Sequence, residues 1–169
     1  MGSLESIFRS QLVFDEQRTL FDYWQSKCNE NCLPSRSDLQ PVDFPKLLPL
    51  ISLIEVCGED VRHQYRVRLA GTGLRTYHNR ETTGKMLADL YSTQTYEYWH
   101  RILDVLVARE RPACGATGPG DATHSQYAQF WMRLPLVDPT GRVNMILAYD
   151  VFTPLSALSA NNRAMIANC

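Results

Sequence analysis

Three groups of residues have the types and spacing to do chemistry. Cys28 and Cys32 lie four apart and would share a face of a helix, which is half of a tetrahedral thiolate site for zinc. No histidine or second cysteine pair stands near in sequence, so free thiols near a helix end are the simpler reading. Cys114, His124 and Asp121 supply a nucleophile, a base and an orienting carboxylate by residue type alone, and any chain with a cysteine and a histidine offers as much. Gly115, Gly118 and Gly120 suggest a phosphate loop. However, no Lys-Ser or Lys-Thr follows, and the next element reads as a strand rather than a helix whose N-terminus would hold an anion. No catalytic residue and no metal ligand is therefore expected.

Composition excludes further classes. The 169 residues suit one domain with one core, and 44% hydrophobic with 21% charged residues is ordinary for a globular chain. A net charge of -1 offers no field to attract phosphate, so no nucleic-acid partner is expected. The most apolar run, Leu47 to Val56, is broken by Pro49 and Glu55 and is half the length that spans a bilayer. No membrane partner and a cytoplasmic location follow as expectations, since the N-terminus has no basic start and no apolar stretch before a cleavage site. Met1-Gly2-Ser3-Leu4-Glu5-Ser6 fits the loose myristoylation pattern, which is too short to carry weight. Five scattered cysteines are an odd set, unlike a disulfide framework.

The elements that must position any site can be read from periodicity. Residues Asp15 to Lys27 form an amphipathic helix with Leu20, Phe21 and Trp24 on its apolar side and Asp15 as its cap. Pro34 and Pro41 bracket an extended connector, and a helical turn follows around Phe44 to Leu48. Strands are expected at 50–57 and 63–70 around Gly58-Glu59-Asp60, with Tyr65, Val67 and Leu69 on one face of the second and Arg66 and Arg68 on the other. Short helical pieces fill the stretch from Gly71 to Gly84. A helix from Thr93 to Arg109 carries Trp99, Ile102, Leu103, Leu106 and Val107 at helical spacing, with Thr93 as its cap. Three more strands fall at 112–118, 125–137 and 142–152, the last two joined by Asp138-Pro139-Thr140-Gly141.

This order makes an α+β fold with an antiparallel sheet. It divides into residues 1–44 as N-terminal helix and connector, 45–152 as the sheet domain, and 153–169 as a C-terminal tail. Strand 142–152 is apolar on both faces, so the sheet needs cover on both. The helical middle covers one; Leu20, Phe21 and Trp24, or the same surface of a second subunit, cover the other. We expect a homodimer with those three residues at its interface.

In this order the motifs resemble a bacterial family of small stand-alone PAS-domain proteins, from about Phe21 to Val151. The likeness rests on Tyr23-Trp24, on Leu33-Pro34-Ser35-Arg36-Ser37-Asp38 followed by Pro41, on Leu48-Pro49 with Ile54-Glu55-Val56, on Arg68-Leu69-Ala70-Gly71-Thr72, on Thr83-Gly84, and on Leu134-Pro135-Leu136 ahead of Gly141. The chain has Asn79 and Glu81 where the family tends to have Gly and Asp, and Gln40 where it tends to have Asp. Asn79 still permits a left-handed turn. Arg36 and Asp38 are expected to tie down the connector. The resemblance implies a five-stranded PAS-like sheet with helices on one face and an N-terminal amphipathic helix.

It also implies a sensor that binds a small ligand or a protein partner and signals through contact, because no effector unit follows the last strand. Tyr65, Leu69, Tyr77, Trp99, Leu103 and Met132 would line a cavity; Arg68 would hold local structure by hydrogen bonds or face a ligand carboxylate, the structural role being the simpler. The cofactor stays unassigned. His100 or His78 would serve a haem, but a single histidine on a helix is no motif. The Ala113-Cys114-Gly115 setting does not match a flavin photosensor. Two alternatives remain: an interaction adaptor with a filled core, and a small α+β-barrel enzyme with an Asp, Glu or His base.

Overall fold

The computed structural model describes residues 2–29, 32–58, 63–118 and 126–167. Its sheet has strands β1 (Ile51–Cys57), β2 (Gln64–Ala70), β3 (Ala113–Thr117), β4 (Tyr127–Val137) and β5 (Val143–Pro154). The spatial order is β2-β1-β5-β4-β3, and every neighbouring pair is antiparallel. Five strands were expected and five are present, with ends shifted by one or two residues. β5 is the central strand, between β1 and β4, and both β4 and β5 are rich in aromatic and branched residues. The turn between them is closed by Asp138, whose carboxylate accepts from Thr140 N at 2.8 Å, Thr140 Oγ1 at 2.6 Å and Arg142 N at 3.2 Å. Between β1 and β2, Glu59 and Asp60 lie outside the described residues.

β5 carries an extra residue, Asn144, opposite Leu136 and Val137, and β2 departs from simple alternation as well. Leu53 pairs with Leu69 but Ile54 pairs with Val67, so Arg68 is an extra residue on β2. A bulge reverses the faces of everything beyond it. Tyr65 and Val67 are buried, whereas Leu69, read from alternation as their companion, is 52% exposed.

One face of the sheet, here called inner, is covered by α3 (Thr72–His78), the single turn α4 (Leu87–Leu90) and α5 (Thr93–Arg109). α5 has the expected bounds but a different cap: Ser92, whose hydroxyl accepts from Thr95 N at 3.5 Å. α3 ends at Asn79 with φ 52°, the left-handed turn that its residue type allowed. Gly71 is required for space, since a Cβ there would lie 2.1 Å from the Leu48 carbonyl oxygen.

The outer face is covered from both ends of the chain. α1 (Gly2–Gln11), which periodicity had not suggested, and α2 (Asp15–Lys27) bring Leu12, Leu20, Phe21 and Trp24 onto Met132, Leu134, Leu136, Leu147 and Tyr149. α2 begins differently from expectation, because Phe14 is the cap and Gln17 Oε1 accepts from Val13 N and Phe14 N at 3.1 and 3.2 Å. Asp15 instead pairs with Arg18. The residues assigned to a C-terminal tail after 152 continue β5, turn at Leu155–Ala157 and form α6 (Ala160–Ala167), with Leu158 and Ile166 packed near Ala116, Ala128 and Phe130.

The assignment of Leu20, Phe21 and Trp24 to a dimer interface needs correction. They are 0%, 1% and 4% exposed within their own chain, because α2 itself supplies the cover that the sheet requires. The connector is also not extended. It makes short 3-10 turns at Arg36–Asp38 and Pro41–Asp43, and a further one follows it at Leu48–Leu50, since Ser35, Pro41 and Pro49 all favour turn starts.

Candidate functional site

β4 places opposite chemistries on its two faces. Met132, Leu134 and Leu136 point outward into the apolar core beneath α2, while Gln129, Trp131 and Arg133 alternate to the inner side. On β5, Leu147 and Tyr149 are outward, and Ile146, Ala148 and Asp150 are inward. The register sets Trp131 opposite Asp150 and Arg133 opposite Ala148, so Arg133 and Asp150 are diagonal neighbours. Both are almost wholly buried, at 4% and 3% exposure.

They form an ion pair, with Arg133 Nη2 donating to Asp150 Oδ1 at 2.9 Å. Gln129 Nε2 donates to the same oxygen at 2.8 Å, and Arg133 Nη1 donates to the Met132 carbonyl at 2.9 Å. Arg133 Nε is buried and has no hydrogen-bond partner among the described residues. Two indoles lie together on one side of the guanidinium, with ring centroids 4.8 Å away for Trp99 and 5.8 Å for Trp131. Trp131 in turn donates from Nε1 to Tyr98 Oη at 3.2 Å. Its indole lies flat across β3 because residue 115 is glycine: a Cβ there would be 2.5 Å from Trp131 Cζ2. This polar cluster with aromatic walls is the candidate site.

The residues proposed as cavity lining do not gather in one place. Tyr65, Trp99 and Leu103 share the inner core with Trp131. Met132 is on the other side of the sheet, under α2, since it alternates with Trp131. Tyr77 stacks on Phe152 at 4.2 Å, further along β5. Arg68 and Leu69 stand exposed at the bulge, so neither faces the inner core. Arg133, Asp150 and Gln129 were missed. The available signal was one charge of each sign inside two neighbouring apolar strands, which only a paired register turns into contact.

The other candidates have local partners. Tyr65 Oη donates to Asp104 Oδ1 at 2.5 Å, and burial together with that bond pushes the phenol far above its usual range. His100 Nε2 lies 2.9 Å from the His63 carbonyl oxygen and Nδ1 3.2 Å from Asp104, so both ring nitrogens are engaged within the protein and neither is free for haem iron. His78 lies edge-on to Phe152 at 5.8 Å. An open depression of about 420 Å3 includes His100, Asp104 and Tyr96, and another of about 200 Å3 lies between Gly71 and Thr83. Both are surface features outside the inner core.

Cys114 faces Gln11 at 3.9 Å, and burial raises its thiol to about 11, so it is no nucleophile at neutral pH. Asp121 and His124, its suggested companions, lie outside the described residues, as do Gly120 and Cys169. Cys28 is likewise raised by burial to about 11. Among the described residues, no group of three or more His, Cys, Asp or Glu side chains could hold a metal ion, and no helix is long and apolar enough to cross a membrane.

β4 also connects the site to the outer cover. β3 pairs only with residues 129–133, leaving the edge of the last turn of β4 without a strand partner. The connector takes that edge: Val137 N donates to the Pro34 carbonyl at 3.0 Å, and Trp24 Nε1 donates to the Pro135 carbonyl at 3.0 Å. Proline is tolerated at 135 because its nitrogen faces the same unpaired edge. Ser35 N and Oγ both donate to Asp38, and Arg36 Nη1 donates to the Leu39 carbonyl, which holds the connector in shape.

No curated protein matches the chain. A family model described as the PAS domain matches residues 14–149, from the start of α2 to the middle of β5. With a five-stranded antiparallel sheet, helices across its inner face and an N-terminal helix, the chain belongs to the PAS-domain family of sensor and regulatory modules.

Proposed function

We propose that the protein is a non-catalytic sensor whose inner face binds a small molecule and whose N-terminal helices carry the response to a partner, in a homodimer. The observation that carries this reading is the buried Arg133–Asp150 pair with an unpartnered Nε, beside two indoles in contact with each other. Burying an ion pair costs desolvation that hydrophobic residues of similar volume avoid, so packing alone does not account for it. β4 supplies the route outward. Trp131 and Arg133 contact the site, while Met132 and Leu134 on the same strand carry α2, and Gln17 and Trp24 bond to carbonyls of Phe130 and Pro135. A change in the inner face that tilts β4 alters both bonds at once. Binding shifts this balance only by the difference in affinity between the two arrangements.

A second reading, an interaction adaptor without a ligand, is favoured by how fully the inner core is filled: Leu103 is 0% and Trp99 5% exposed. Native mass spectrometry of the purified protein, with its absorption spectrum, separates the two. A copurifying small molecule supports the sensor; a ligand-free dimer supports the adaptor. A monomer at high concentration removes the dimer from either.

A further inference from the structure

We propose that the inner-face site selects an uncharged, planar molecule that presents a carbonyl or ring-nitrogen acceptor to Arg133 Nε. This rests on the reading of the chain as a ligand sensor and names the class of ligand.

The unpaired group is a donor. Arg133 Nε carries one N–H, is buried and has no acceptor among the described residues, although the other arms of the same guanidinium are held by Asp150 and the Met132 carbonyl. A buried donor left alone is costly, and an incoming acceptor removes that cost.

Charge balance decides the rest. The guanidinium is already matched by Asp150, whose Oδ1 accepts from both Arg133 and Gln129. A ligand carboxylate would add a second negative charge beside Asp150 in a water-poor core, and a ligand cation would meet the guanidinium. An uncharged acceptor satisfies Nε without disturbing the pair. Planarity follows from the walls. Trp99 and Trp131 meet at 5.4 Å between centroids, edge to face, on the same side of the guanidinium, and Tyr98 anchors the Trp131 indole. A flat ring that separates those indoles regains their contact by stacking. Gly115 leaves the Trp131 indole lying flat on β3, so this wall presents its face.

The test uses three probes with one ring and three charges: benzamide, benzoate and benzylammonium. The chain has three tryptophans, so Trp24→Phe leaves the two at the site as the fluorescent reporters. Benzamide is expected to change that fluorescence saturably and to move the Arg133 Nε–H resonance in the unsubstituted protein. Benzoate and benzylammonium are expected to bind about tenfold more weakly or worse. Arg133→Lys keeps the charge and removes Nε, and should weaken benzamide by a similar factor. The NMR measurement stands even where that variant fails to fold.

Equal or tighter binding of benzoate, or benzamide saturation with the Arg133 Nε–H resonance unmoved, overturns the proposal. So does the absence of any saturable response to benzamide, which would leave that N–H to an ordered water. A copurifying molecule of charged or non-planar character, found by mass spectrometry, would overturn this inference while leaving the sensor reading intact. Absence of any copurifying molecule bears on the sensor reading instead.

Discussion

The two faces of the sheet are built from the same strands and solve different problems. Outward, β4 and β5 offer Met132, Leu134, Leu136, Leu147 and Tyr149, and the chain covers them with Leu20, Phe21 and Trp24 from α2. Inward, the alternate residues of these strands include Gln129, Arg133 and Asp150 among Trp131, Ile146 and Ala148. The outer face is closed by apolar burial with two side-chain hydrogen bonds to the β4 backbone, from Gln17 and Trp24; the inner face keeps a buried ion pair that burial would not select. The difference separates what holds the fold together from what it is poised to bind, one residue apart along one strand.

Removing apolar volume from the outer face should produce the largest effect. Phe21→Ala empties a site that is 1% exposed and contacts both Phe8 and Trp24, and should cost about 3–5 kcal/mol by chemical denaturation. A loss below about 1 kcal/mol would mean that α2 is a loose flap and the two faces are not distinct in this way.

The inner face should respond by a different rule. Asp150→Ala strands the guanidinium and should cost about 3–5 kcal/mol, whereas Arg133→Met with Asp150→Val together should be near neutral or stabilising. Comparable losses from the single and double replacements would show that the pair holds the fold, and the contrast between the faces would collapse.

Gly115→Ala sharpens the comparison at smaller scale. The added Cβ presses on the Trp131 indole at 2.5 Å, so a loss of about 1–3 kcal/mol is expected, with a change in Trp131 fluorescence and little change around Trp24. A response confined to the environment of Trp24 would break it.

The smallest effect is on the pH dependence of the outer face. Burial raises the Cys114 and Cys28 thiols from an ordinary value of 9.0 to about 11, which favours the neutral form in the folded protein. That contribution is complete below pH 9.0 and is lost as the pH rises towards about 11, so the melting temperature should fall over that interval. Alkylation at pH 8 should modify the exposed Cys32 before either of them. Early reaction of Cys114 would mean that α1 leaves the sheet readily.

Sequence reading reached the fold further than the site. Helical spacing in 15–27 and 93–109 and the apolar runs of the strands set element types and nearly their ends, because those signals are local. Asn79 was legible as a left-handed turn for the same reason, and its φ is 52°. Leu69 was misplaced by one bulge, a feature that no alternation pattern announces. Met132 was read as lining a cavity because its strand was clear but its face was not.

By itself, the sequence determined the α+β order, the need for cover on both faces of the sheet, and the turn chemistry at Asn79 and Asp138–Gly141, since each follows from contacts a few residues long. Only the tertiary structure decided that α2 covers its own sheet, that Leu69 faces solvent, and that Arg133 meets Asp150. Those depend on strand register and on which segments pack together: Arg133 and Asp150 are 17 positions apart in the chain and 2.9 Å apart in the fold.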